Sequence, residues 1–339
     1  MNISQVLCPV YKCLAYRFHT STSMTPAEIH QLGLDEVTRI RGEMAKIVSE
    51  LGYNMSVSEF SEMVRKDAQF LYDNPEALFK DFEDLVYNVI PLKLPEVFLN
   101  IPKAKLKMER LSSPHSTTAF YSVGAYDGSR PGVYFVNTFH CDSQPKYEMM
   151  TLSLHEGNPG HHLQGSHSME SPKIPFFRRV MEDRNYWQAP SRFPINTAYL
   201  EGWGLYAENL GFDMDLFKNP LDRCGHYSFE MYRACRLVVD TGLHAFSWTR
   251  QEAGDYMIHN TALASVNVEN EVDRYITWPG QALAYKMGQL KLTELRQKAA
   301  SKLGCKFDIK MFHEVVLDSV GPLDLVEDEV IAWIDAGGK

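Results

Sequence analysis

The residues best suited to chemistry lie in one stretch, Leu154-His155-Glu156-Gly157-Asn158-Pro159-Gly160-His161-His162-Leu163-Gln164. It holds three of the chain's twelve histidines and a carboxylate beside the first of them. Neutral imidazole is the commonest side-chain metal ligand. A Glu next to a His ligand is placed to act as general base toward an activated water. The spacing departs from the usual H-E-x-x-H, whose two imidazoles stand one turn apart on one helix face. Here the second His comes at i+6 or i+7. In a straight helix an i, i+7 pair lies about 10.5 Å apart along the axis, and an i, i+6 pair is rotated by roughly 120°. Two imidazole nitrogens on one zinc must approach within roughly 3.3 Å. Pro159 lacks an N–H and clashes with the carbonyl of His155, while Gly160 tolerates unusual dihedrals. Two residues looped out between Gly157 and Gly160 would bring His161 to where i+4 normally stands, and helix bulges of this type recur at functional sites. His155 and His161 are the favoured ligands, with His162 facing the substrate or a carboxylate. The converse choice, His162 as ligand, stays open, as does the bland one of a helix ending at Pro-Gly among surface histidines.

A third ligand completes a His₂Glu set with one open position. The best candidate is Glu201 in Ala198-Tyr199-Leu200-Glu201-Gly202-Trp203-Gly204-Leu205-Tyr206-Ala207-Glu208. Gly202 and Gly204 let backbones approach closely around it, at a cost in helix propensity. Glu208, two turns on at i+7, shares its face and could hydrogen-bond the far side of a ligand His.

These residues must be positioned by helices. Thr25-Pro26-Ala27-Glu28 is a helix start with a cap, a proline and a reciprocating Glu. An apolar stripe through Ile29, Leu32, Val37, Ile40, Met44 and Ile47 follows, closed by Gly52. Further helices are expected near Ser58 and from Asn74-Pro75-Glu76. Between Val97 and Asn137 the texture turns β-like, in runs at Val97 to Ile101, Ala104 to Met108, Thr118 to Val123 and Gly132 to Asn137. The last two flank a dense turn signal at Tyr126 to Gly132. A small antiparallel sheet or hairpin is expected here, and its edge could take a substrate backbone by strand addition. From Pro145 on the chain reads as helical, broken at Pro172 to Pro175, Pro190 to Pro194, Pro220 and Pro279-Gly280, with a short last helix from Asp324 to Ala336. The expected fold class is mainly α. Residues 1–24 read as irregular, with Cys8-Pro9-Val10 extended, and residues 25–339 as a single helical catalytic domain with a small β insertion.

The formal charge of −9 argues against nucleic acid or an anionic membrane surface as partner. None of the six cysteines forms C-x-x-C, so a cysteine metal site is not expected, and scattered thiols fit a reducing compartment. No apolar run reaches membrane-span length. Met1 to Tyr16 lacks the pattern of a signal peptide, so the default expectation is cytoplasmic. Oligomeric state is not legible.

The combination H-E-x-x-P-G-H-H-L-Q with E-G-W-x-x-Y-x-E resembles a large family known as domain of unknown function 885, whose members look like zinc-dependent peptidases of the Glu-zincin type. Thr25 to Leu34, Asp127 to Gly132, Arg233 to His244, and Arg274-Tyr275 with Trp278 to Gly288 extend the resemblance over roughly residues 14 to 335. Relatives are longer at the N-terminus. The resemblance implies a multi-helical, zincin-like metallopeptidase domain and a zinc cofactor on His155, His161 and Glu201, with Glu156 as general base. Within that reading Tyr285, His244 and His162 are candidate catalytic side chains, the first two as donors to an oxyanion. Asp240, four residues before His244, could orient its imidazole. Arg274 or Arg236 could anchor a substrate carboxylate, and Gln281 is grouped with them as substrate-binding. The expected substrate is a short peptide or small amide. A non-peptidase zinc hydrolase of an amide or ester, or a truncated inactive member keeping only the fold, are the alternatives.

Overall fold

The computed structural model describes residues 9–114, 117–139, 141–179 and 196–339, so the break expected at Pro190 to Pro194 lies outside the described residues. Helix α1 (Pro9–Thr20) occupies much of the stretch expected to be irregular. Pro9 opens that helix, where a missing N–H costs nothing. Thr25 caps α2 (Pro26–Glu50) in a full capping box with Glu28, and Gly52 follows its end at φ +85°. Ser56 and Glu59 do the same for α3 (Val57–Lys66), which begins one residue before the expected Ser58. Asn74 accepts the Glu76 N–H at the head of α4 (Pro75–Asp84). The run expected to be extended from Val97 does not form a strand. Val97 ends α5 (Leu94–Val97), whose early Pro95 suits a helix start better than a strand.

The strands are β1 (Leu106–Arg110), β2 (Ala119–Ser122) and β3 (Gly132–Val136). Their order is β1-β3-β2. β2 and β3 form the expected antiparallel pair, with Ala119 opposite Val136. β1 pairs parallel to β3, Leu106 opposite Gly132, so the sheet is mixed. β3 is central, and Val133, Tyr134 and Val136 are all buried, as expected of a strand covered on both faces.

The remaining helices are α6 (Met149–Glu156), α7 (His161–Glu170), α8 (Phe176–Arg179), α9 (Thr197–Asp213), α10 (Pro220–Ala245), α11 (Arg250–Asn260), α12 (Ser265–Thr277), α13 (Ala284–Leu303), α14 (Ile309–Asp318) and α15 (Leu323–Asp335). The protein is thus mainly helical with one small mixed sheet.

The chain forms two compact units. The first gathers Met1–Ala77, His140–Thr151 and Phe217–Lys286. In it α2 packs along α10, and Val37, Ile40 and Met44 share a core with Met231, Ala234 and Val239. The second gathers Leu78–Phe139, Leu152–Leu216 and Met287–Lys339. Its core centres on the fully buried Trp203, Tyr199 and Tyr206 of α9 with Phe98 and Phe312. His313 is tied into that core from both ring nitrogens, by the Tyr206 hydroxyl (2.9 Å) and the Val97 carbonyl (2.8 Å).

Candidate metal centre

The motif at 154–164 breaks the helix where its Pro-Gly pair stands. α6 ends on Glu156 and α7 starts on His161, with Gly157 to Gly160 looped between them. The Gly157 N–H still bonds the Ser153 carbonyl (3.0 Å), as in an ordinary helix, but the His162 N–H reaches back five residues to the Gly157 carbonyl (3.1 Å). Trp203 pins the loop from α9, its indole N–H donating to the Pro159 carbonyl (2.9 Å). A side chain at Gly160 would collide with the His155 and Leu154 carbonyls, so only glycine fits the return of the chain.

The loop brings the His155 and His161 rings to 4.7 Å between centroids, nearly perpendicular at 87°. Glu201 Oε2 lies 3.7 Å from His155 Nε2 and 3.4 Å from His161 Nε2. These separations are long for direct hydrogen bonds, yet match the roughly 3.3 Å edge of a tetrahedron of ligands at zinc distance. Two imidazole nitrogens and one carboxylate oxygen converging this way are a donor set that fits zinc. His155 donates from Nδ1 to the buried Glu208 Oε1 (2.7 Å), which turns Nε2 toward Glu201 and would leave its lone pair for a metal in place of the Nε2 proton. Gly204 makes room for this ring, since a Cβ there would stand 2.7 Å from His155 Cε1.

The electrostatics favour a cation at the convergence. Burial works against charge on His155, but the Glu201 and Glu208 carboxylates outweigh it and push the imidazole up to about 9. Burial likewise opposes ionisation of Glu201, and the two imidazoles overcome it, holding its carboxyl below the usual carboxylate range. Glu156 is buried beside His155 at the end of α6. Burial first and the Glu156 charge second raise the buried Tyr134 hydroxyl of β3 well above the ordinary phenol range.

His162 turns away from this group. Its Nε2 bonds the Ala104 carbonyl (3.2 Å) and its Nδ1 meets the Tyr121 hydroxyl of β2 (3.1 Å). Since a carbonyl only accepts, Nε2 carries the proton and Tyr121 donates to Nδ1. Burial lowers this imidazole to about 4, so it stays neutral. His162 therefore links α7 to the sheet. Tyr121 and Tyr134 were not singled out from the sequence; the clue was the glycine at 132, where a Cβ would press on the Tyr121 hydroxyl and stand 2.9 Å from His162 Nδ1.

Among the described residues a second trio, His167, Glu314 and Asp318, also brings its ligand atoms within 4.8 Å. Its atoms are already engaged. Asp318 accepts from His167, Ser171 and Lys173, and Glu314 accepts from the backbone and side chain of Asn100. With the Lys173 ammonium 2.9 Å from Asp318, this trio is a hydrogen-bonded tie between α7 and α14.

The other sequence candidates, Tyr285, His244, Asp240, Arg236, Arg274 and Gln281, all belong to the first unit. α10 runs unbroken past Gly242, yet Asp240 does not orient His244. Both Asp240 oxygens take the Gly280 N–H (3.0 and 3.2 Å), and His244 Nε2 bonds the Tyr275 carbonyl (2.9 Å). Arg274 donates to Gln281, and Tyr285 lies face-on to the Arg236 guanidinium at 4.4 Å.

Residues 11–330 match the family described as "Bacterial protein of unknown function (DUF885)". The chain belongs to this family. The crystal structure of the putative lipoprotein from Colwellia psychrerythraea superposes with a TM-score of 0.89 at 36% identity, covering 96% of this chain and 55% of the other. A putative lipoprotein of unknown function from Shewanella oneidensis shares the fold at a TM-score of 0.78 and 19% identity, over 95% of this chain and 59% of its own. This DUF885 chain thus spans little more than half the length of either. No curated protein matches it. Among the described residues no helix is long and apolar enough to cross a membrane.

Proposed function

We propose that this DUF885 chain is a zinc-dependent hydrolase of peptide or small amide bonds. The observation that carries the reading is the convergence of His155 Nε2, His161 Nε2 and Glu201 Oε2, with Glu208 bonded to the far side of His155. Those three side chains would hold the metal, and Glu208 would keep His155 in the ligating tautomer. When bound, zinc lowers the pKa of water and polarises a carbonyl. The residues of the chain do the rest. Glu156 takes a proton from the attacking water at its carboxylate and returns it to the departing amine. The sheet offers an edge, β2, along which an extended substrate backbone can add as a further strand. Tyr121 on that strand is held by His162.

The two relatives named above carry the name lipoprotein, which favours an exported, lipid-anchored setting over the cytoplasmic expectation.

The test joins metal analysis to cleavage of a mixed peptide library. The purified chain should carry about one zinc per chain, the count expected for a single His₂Glu site. Cleavage should stop on chelation. Glu156→Gln should retain zinc and lose cleavage; turnover at the unsubstituted rate would remove Glu156 from the reaction. Zinc content unchanged in both His155→Ala and Glu201→Ala would remove the site itself.

A further inference from the structure

The face of α10 that carries Arg236, Asp240 and His244 at intervals of four residues is buried throughout, with exposures of 4%, 0% and 1%. Arg236 and Arg274 share a single carboxylate, Glu271, at 3.1 and 2.9 Å. The nearby acid Asp240 is committed to the Gly280 N–H, and burial raises its carboxyl to about 6. Each guanidinium also has a buried nitrogen whose protons no atom accepts among the described residues, Nη1 of Arg236 with two N–H and Nε of Arg274 with one. His244 Nδ1, on the same face, also lacks a partner, but as an acceptor, since Nε2 carries the proton given to the Tyr275 carbonyl. Buried donors left unpaired cost roughly 1–3 kcal/mol each, more when charged, so a cluster of them is where a ligand belongs.

We infer that Arg236 and Arg274 form a binding site for an organic carboxylate within the first unit. The two N–H groups on Arg236 Nη1 and the one on Arg274 Nε are enough to hold both oxygens of one carboxylate, the acceptor that arginine suits best. The Arg236 guanidinium is packed against the Tyr232 and Tyr285 rings at 4.2 and 4.4 Å, so only its edge is offered and a flat anion is favoured. Arg274, with 29% of its side chain exposed, gives the site its opening to solvent. The inference concerns this unit alone and stands or falls apart from the metal centre.

Calorimetric titration tests it, using acetate, N-acetyl-alanyl-alanine, the amide of that dipeptide, and inorganic phosphate. The protein carries Glu201→Gln throughout, so that a carboxylate on any bound metal does not contribute. The free dipeptide acid should bind and its amide should not. Arg274→Gln should weaken the acid by about tenfold or more, the loss of one charge-assisted hydrogen-bonding group. In the chain with both arginines intact, the acid should also shift the Arg274 Nε–H signal in a nitrogen-15 spectrum, a readout independent of how well the variant folds. Acetate binding as well as the dipeptide acid identifies a small free acid as ligand; binding of the dipeptide acid alone identifies a peptide C-terminus. Failure of every acid to bind, tighter binding of phosphate than of any acid, or equal affinity in Arg274→Gln overturns the inference.

Discussion

Glu208 carries more of the proposed chemistry than its distance from the reacting atoms suggests. Its carboxylate is fully buried and accepts from His155 Nδ1 at 2.7 Å. A buried carboxylate costs folding free energy, and what this one secures is the orientation and basicity of a ligand. Glu208→Ala should therefore lower zinc affinity by about 10–100-fold, the range for losing such a partner. Competition with a graded set of chelators measures it, and unchanged affinity would mean that His155 is oriented without Glu208. The placement of Glu208 and Glu201 on one helix face was legible in the sequence, because helical spacing alone puts i and i+7 on one side. The fate of His162 was not. Its partners, Ala104 and Tyr121, lie on segments 58 and 41 residues away, and no local pattern reports such a contact.

At the scale of elements, the helix break between α6 and α7 is what makes an i, i+6 histidine pair usable. Pro159 and Gly160 announced the break, since neither continues a helix comfortably. The clamp that shapes it came from α9, where Trp203 donates to the Pro159 carbonyl. Trp203→Phe keeps the ring and deletes the donor. The Pro159 carbonyl is then left without its partner in a closed core, which should cost roughly 1–3 kcal/mol. Urea unfolding of the metal-free chain should show that loss, and zinc affinity should fall as well because the loop between the two ligands is no longer fixed. A variant that loses stability but keeps its zinc affinity would show that the loop holds its shape without the clamp. Other elements were less legible. α1 was hidden because Pro9 reads equally well as the end of an extended segment. The parallel pairing of β1 with β3 was hidden because strand direction is set by tertiary contacts, whereas the β2–β3 hairpin is announced by its own turn.

For the whole molecule, the division into two units predicts that ligand and proton act unevenly. All three proposed zinc ligands belong to the second unit, so chelation should lower protection from hydrogen exchange there, in segments such as Leu152–Glu156, His161–Glu170 and Thr197–Asp213. At a thousandfold excess of zinc over its dissociation constant the difference would reach about 4 kcal/mol. The α2–α10 core of the first unit should change little. Acid should act in the same direction. His162 and His313, both in the second unit, are lowered by burial from 6.5 to about 4. Groups with depressed imidazole pKa values bind more protons when unfolded, so the stability they contribute is present above about 6.5 and is lost as pH falls toward about 4. In the first unit burial raises Glu148 to about 7 and Asp240 to about 6. The sign there is opposite: these acids bind more protons when folded, and their contribution is present at low pH and lost as pH rises through those values. His19, lowered to about 4, offsets part of it. Hydrogen exchange corrected for intrinsic rates at pH 7 and pH 5 should therefore show the second unit losing protection relative to the first. Equal loss across both units, on acidification or on chelation, would mean that the chain unfolds as one cooperative body and that the division has no energetic counterpart.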